Sequence, residues 1–77
     1  MPPRPRSFDE LKHRRDFGDK VRAARLKLGW SQEELAEAAD LHRTYVNRVE
    51  GGLVNVSIDA MERLARGLEI PLRKLFD

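Results

Sequence analysis

The sequence predicts an all-α fold, a compact domain of five helices, and three observations lead there. Apolar residues recur at three- and four-residue spacing in successive segments. Most of those segments open on a Ser, Asp or Pro suited to the first turn of a helix, and two close on Gly, where a helix stops. A length of 77 residues supplies one small core and leaves little room for a buried catalytic cleft beside it.

The chain divides into a basic arm with a short helix, residues 1–16, and a helical domain, residues 17–77. Met1 to Arg6, MPPRPR, is not helical, because three prolines remove amide donors and restrict the residues before them. Ser7-Phe8-Asp9-Glu10 has the form of a capping box, which predicts a first helix from Phe8 to about Arg15. Asp16 is placed to cap a second helix, with Asp19 adding negative charge near its positive end. Phe17, Val21, Ala24 and Leu28 form its apolar stripe, and Gly29 stops it.

Trp30 then packs as a lid on the core, and Ser31 with Glu34 forms a second capping box. That assigns the Ser31 hydroxyl without catalysis. Leu35, Ala36 and Ala39 are the inward positions of the next helix, and Asp40 stands in the turn, where Asp tolerates a left-handed backbone less well than Gly but better than most residues. After Leu41, Val46 and Val49 carry the apolar pattern through the following helix to Glu50-Gly51-Gly52. Leu53 to Val56 is a loop. Ser57 caps a helix whose apolar face is Ile58, Met61, Leu64, Ala65 and Leu68. Ile70 and Pro71 introduce a last short helix that carries Leu72, Leu75 and Phe76, and part of so much apolar surface is expected to meet something outside the monomer.

The charge is informative in its distribution. Residues 1–16 carry five cations against three carboxylates, whereas residues 17–77 balance at ten of each. Within the balanced part the signs segregate. Glu33, Glu34 and Glu37 lie on one helix, and between the inward positions of the next stand His42, Arg43, Thr44, Asn47 and Arg48, with no carboxylate among them. That second face donates hydrogen bonds.

Two short helices meeting through a tight turn form the unit that lays its second helix in the DNA major groove. Gln32, Ala36, Leu41, Val46, Val49 and Glu50-Gly51 stand where the phage-repressor/Cro-like (XRE-type) helix-turn-helix family has them, and residues Phe17 to Phe76 resemble that family. Leu41-His42-Arg43-Thr44-Tyr45-Val46 is also similar to the recognition helix of restriction-modification controller proteins. The resemblance implies a five-helix, lambda-repressor-like DNA-binding domain. It places Arg43, Thr44, Asn47 and Arg48 over the bases with His42 at the mouth of the groove, pairs Arg25 with Glu50, and puts a dimer seam at the C-terminal helix, with Leu72, Leu75 and Phe76.

The residue chemistry agrees with such a role. Arg grips guanine O6 and N7, Asn grips adenine N6 and N7, and a Thr methyl meets the thymine methyl. Gln32 at a helix start, Tyr45, Asn55 and Ser57 are the candidates for phosphate, although Tyr45 also suits the core edge, Asn55 a turn and Ser57 its cap. The Pro/Arg arm has two readings, a solvated leader or an arm for the minor groove or phosphates.

Other classes fit less well. His13 and His42 are far apart in sequence with no Cys or carboxylate at ligand spacing, so no metal is expected, and Gly51-Gly52 lacks the G-K-[ST] of a phosphate loop. No cofactor and no enzymatic activity are expected. The absence of cysteine suits a reducing cytoplasm, where a DNA-binding role implies association with the nucleoid, and no apolar run reaches the roughly 20 residues of a membrane span. The expected function is a sequence-specific transcriptional regulator that binds a near-palindromic operator as a homodimer. A repressor is the simpler form, a restriction-modification controller the specific one, and RNA polymerase becomes a partner if Glu33, Glu34 and Glu37 touch it. The alternative is an antitoxin-type module that masks a partner protein.

Overall fold

A computed structural model of the protein describes residues 8–77, and within them four α-helices and one 3-10 turn follow one another without a strand. The helices are α1 (Phe8–Lys27), α2 (Gln32–Ala39), α3 (Arg43–Glu50) and α4 (Ile58–Gly67), and the 3-10 turn spans Leu72–Leu75. The Pro/Arg arm and the cap expected at Ser7 lie outside the described residues.

The expected pair of N-terminal helices is a single one. Asp16 does not start a helix; its carboxylate takes the Lys12 ammonium at 2.8 Å, one turn back on the same helix face. Such an i,i+4 pair fastens successive turns together, and no proline interrupts α1, so the helix runs through. The fifth helix is likewise corrected. Pro71 stands before the 3-10 turn as its cap with extended backbone, and only four residues follow in helical form.

Two apolar assignments also change. Leu28 lies beyond the last residue of α1 and is 43% exposed, because the chain turns away there through Gly29 at φ 72°. Ile58, the first residue of α4, is 73% exposed, and Ala60, Leu64, Ala65 and Leu68 form the inner face instead.

The core lies between the helices: α3 packs on both α1 and α2, α4 packs on α2, and the 3-10 turn closes against α1 and α4. Val21, Leu35, Val46, Val49, Leu64 and Leu75 are its fully buried large side chains, and Trp30 packs half-buried against its rim. Ser31 caps α2 reciprocally: its hydroxyl accepts from the Glu34 amide at 3.1 Å, and the Glu34 carboxylate accepts from the Ser31 amide at 2.8 Å. Asp40 adopts the left-handed conformation, φ 56° and ψ 48°, and the next amide, of Leu41, bonds back to the Ala36 carbonyl at 2.8 Å. This turn sends α3 off at a new angle, with its inner face on the core. No helix among the described residues is long and apolar enough to cross a membrane.

Candidate nucleic-acid interface

Helix α3 is eight residues long, too short to persist by itself, so its geometry is imposed by what lies beneath it. Val46, Val49 and Glu50 are buried against the domain. Tyr45 is half-buried at the core edge, and Arg43, Thr44, Asn47 and Arg48 are exposed together on the outer side. His42 is exposed one residue before the helix, at its N-cap, and makes no side-chain cap bond.

Glu50 is a carboxylate in the core, and its partner is Arg25 of α1. Arg25 Nε donates to Oε2 at 2.7 Å and Nη2 to Oε1 at 2.9 Å, a two-pronged pair. The third arm of the guanidinium, Nη1, donates to the Trp30 carbonyl at 2.7 Å, so one side chain ties α1 and the entry to α2 to the end of α3. The hydrogen bonds to Glu50 hold Arg25 charged more firmly than an ordinary guanidinium, outweighing the opposing effect of burial. No buried side-chain nitrogen or oxygen among the described residues lacks a partner, so the site closes its polar accounts internally.

That pair continues outward. Gln32, the first residue of α2, donates from Nε2 to Glu50 Oε1 at 3.1 Å and accepts at Oε1 from Asn47 Nδ2 at 3.1 Å. Its side chain is thus engaged at both ends, which shifts any anion contact at this position towards the unbonded amides of the α2 start. Arg43 reaches back to Glu33 of α2 at 3.5 Å, both side chains exposed, a contact loose enough to break without much loss.

Of the candidate phosphate residues, Tyr45 and Ser57 line one shallow depression beside His42, with Asp59 and Arg63. Ser57 keeps its cap role, its hydroxyl accepting from the Ala60 amide at 3.1 Å. Asn55 lies elsewhere, in a cleft with His13, Arg14, Phe17 and Phe76. One cation was missed by the sequence reading: Arg22 borders the same surface hollow as Gln32, Asn47 and Glu50. Its signal was its position, three residues before Arg25 on one face of α1.

The three residues assigned to a dimer seam separate. Leu75 is 1% exposed, so its surface is used inside the monomer core, whereas Leu72 is half-buried. Phe76 is 60% exposed, with its ring centroid 5.4 Å from that of Phe17.

Comparison with known proteins gives a consistent picture. The family described as Helix-turn-helix matches residues 21–75. The control protein C.BamHI of Bacillus amyloliquefaciens is 47% identical over 62 residues, 79% of this chain and 76% of that protein. The control protein C.MunI of a Mycoplasma species is 43% identical over 61 residues, 78% of this chain and 82% of the relative. The crystal structure of the restriction-modification controller protein C.AhdI from Aeromonas hydrophila superimposes with a TM-score of 0.80 at 43% identity, over 82% of this chain and 96% of that one. The chain therefore belongs to the helix-turn-helix family, among relatives named as control proteins and, for the solved structure, as a restriction-modification controller protein.

Proposed function

We propose that the protein is a transcriptional regulator of a restriction-modification system that reads a near-palindromic operator as a homodimer, one α3 in each half-site. The observation that carries this reading is the outer face of α3, where Arg43, Thr44, Asn47 and Arg48 are exposed side by side with no carboxylate on the helix between them. Arg43 and Arg48 suit guanine, Asn47 adenine, and Thr44 a thymine methyl, with His42 at the groove mouth. The α2 start at Gln32, together with Tyr45, Ser57 and Asn55, supplies the phosphate contacts that set register. Twofold symmetry places the half-sites about one helical turn, roughly 34 Å, apart. Exposed Phe76 and half-buried Leu72 support a seam at the C-terminal end. Promoter occupation represses by default. The exposed acids Glu33, Glu34 and Glu37 offer a surface for RNA polymerase if the bound protein activates.

The test is selection from a random duplex pool, then a salt titration on the recovered sequence. A palindromic consensus bound about 10³-fold or more above unrelated DNA, with a steep salt slope, is expected. Enrichment of nothing would defeat the reading and favour a module that masks a partner protein.

A further inference from the structure

We infer that Gln32 is a positioning residue that fixes which end of the Asn47 amide faces the DNA, and that the buried Arg25–Glu50 pair is the source of that polarity. This rests on α3 being the DNA-facing helix. Side-chain amides are nearly symmetric in shape, so an isolated Asn can present its donor and acceptor in either order. Here the order follows from a group that cannot be reversed.

A guanidinium has donors only. Arg25 gives two of them to Glu50, one to each carboxylate oxygen, at 2.7 and 2.9 Å, so Glu50 is engaged as an acceptor at both oxygens. Whatever else meets Glu50 Oε1 has to donate, and the Gln32 amide does so from Nε2 at 3.1 Å. With its NH2 end turned inward, Gln32 has only its oxygen to show Asn47. Asn47 must then turn its own NH2 end inward, and its Nδ2 donates to Gln32 Oε1 at 3.1 Å. Reversing either amide would place oxygen against oxygen or N–H against N–H. One N–H and the Oδ1 of Asn47 remain, in a set order, on the exposed face.

The consequence is a choice of base. Adenine offers N7 as acceptor and N6–H as donor in a fixed order along the groove, and an Asn that matches it in one orientation mismatches it in the other. With Gln32 in place, Asn47 meets the groove already oriented. Without it, both orientations compete, and the preference at that base pair weakens although Asn47 is still present.

The test compares Gln32→Leu, Asn47→Ala and the double variant on the selected operator and on every single-base-pair change of it. Gln32→Leu removes the relay at nearly constant bulk. It should lower discrimination about fivefold or more at one base pair, the same pair that Asn47→Ala affects, and the double variant should lose no more there than Asn47→Ala alone. A loss with Gln32→Leu that is equal on every sequence, or that adds to the Asn47→Ala loss, would overturn the positioning role while leaving α3 as the reader. Asn47→Ala with no change of preference at any base pair would overturn the base-reading assignment beneath it, and this inference with it. A second measurement needs no substitution: in nitrogen-resolved spectra of the free protein, the side-chain NH2 groups of Gln32 and Asn47 should both show slowed exchange with water. Two freely exchanging amides would overturn the relay.

Discussion

Gly18 of α1 lies against the carbonyl oxygen of Val49, with no space for a β carbon between them; a β carbon there would also sit 3.0 Å from the Glu50 carbonyl. Helix α1 and the end of α3 therefore touch backbone to backbone. Alanine is the better helix former by about 1 kcal/mol, so on propensity alone Gly18→Ala would stabilise. Because the added methyl has to push rigid backbone aside, the variant is instead expected to lose about 1 to 3 kcal/mol of stability. Urea unfolding measures it, and a gain in stability would show that the two helices do not pack this closely.

The buried ion pair makes an asymmetric prediction. Glu50→Ala leaves the Arg25 guanidinium in the core without its carboxylate and should cost about 3 to 5 kcal/mol. The double variant Arg25→Met, Glu50→Leu removes both charges and should regain most of that loss, with unfolding midpoints as the readout. It should also cut Gln32 loose from the core, so recovered stability should not bring recovered operator preference.

Leu75 and Phe76 are neighbours with different duties. Leu75→Ala empties a fully buried site and should lower monomer stability by about 2 to 5 kcal/mol. Phe76→Ala gives up a partly exposed ring and its Phe17 contact, worth about 0.5 to 1.5 kcal/mol beyond area burial, yet should weaken self-association more than Leu75→Ala does in any state that remains folded. Sedimentation at micromolar concentration separates the two. Unchanged association in Phe76→Ala would remove this ring from the seam.

Arg43→Ala should cost about 1 to 3 kcal/mol on the operator and relax the preference at a single base pair. A uniform loss on all sequences, with the salt slope reduced by about one, would assign Arg43 to phosphate.

Asp16 gives a pH prediction. The hydrogen bond from Lys12 holds its carboxyl below the ordinary carboxylate value, with smaller help from the charges of Lys12, His13 and Arg15, against a contrary effect of desolvation. A carboxyl lowered in the folded state adds stability that is present above its unfolded pKa and lost as pH falls through the folded one. Carbon-detected titration should find the Asp16 midpoint depressed, and Lys12→Ala should return it towards the ordinary value.

Much of this structure could be read from residue order because the signals were local. The Ser31–Glu34 box and the Ser57 cap join residues three apart, and the left-handed turn depended on Asp40 alone. What escaped was decided by distant neighbours or by rival uses of one side chain. Asp16 had the form of a cap, but α1 runs through it without a break, and its exposed carboxylate takes Lys12 one turn earlier. Leu75 fitted an exposed apolar stripe, yet the fold turns it inward. Gln32 was legible as the start of a helix, but its link to Asn47 spans fifteen positions and appears only when α2 and α3 are set side by side.

The clamp that α1 holds on α3 also bears on when the reading helix forms. An eight-residue helix has almost no stability of its own, and the carbonyls that end it are wedged against Gly18 while Glu50 is pinned by Arg25. There is thus no inexpensive local opening through which α3 could fray while the rest stays folded, and its central amides should exchange with solvent only through opening of the whole domain, at the global free energy. The surface proposed to meet DNA is then finished before the encounter. Association should lack the large negative heat-capacity change that marks a segment folding onto its target.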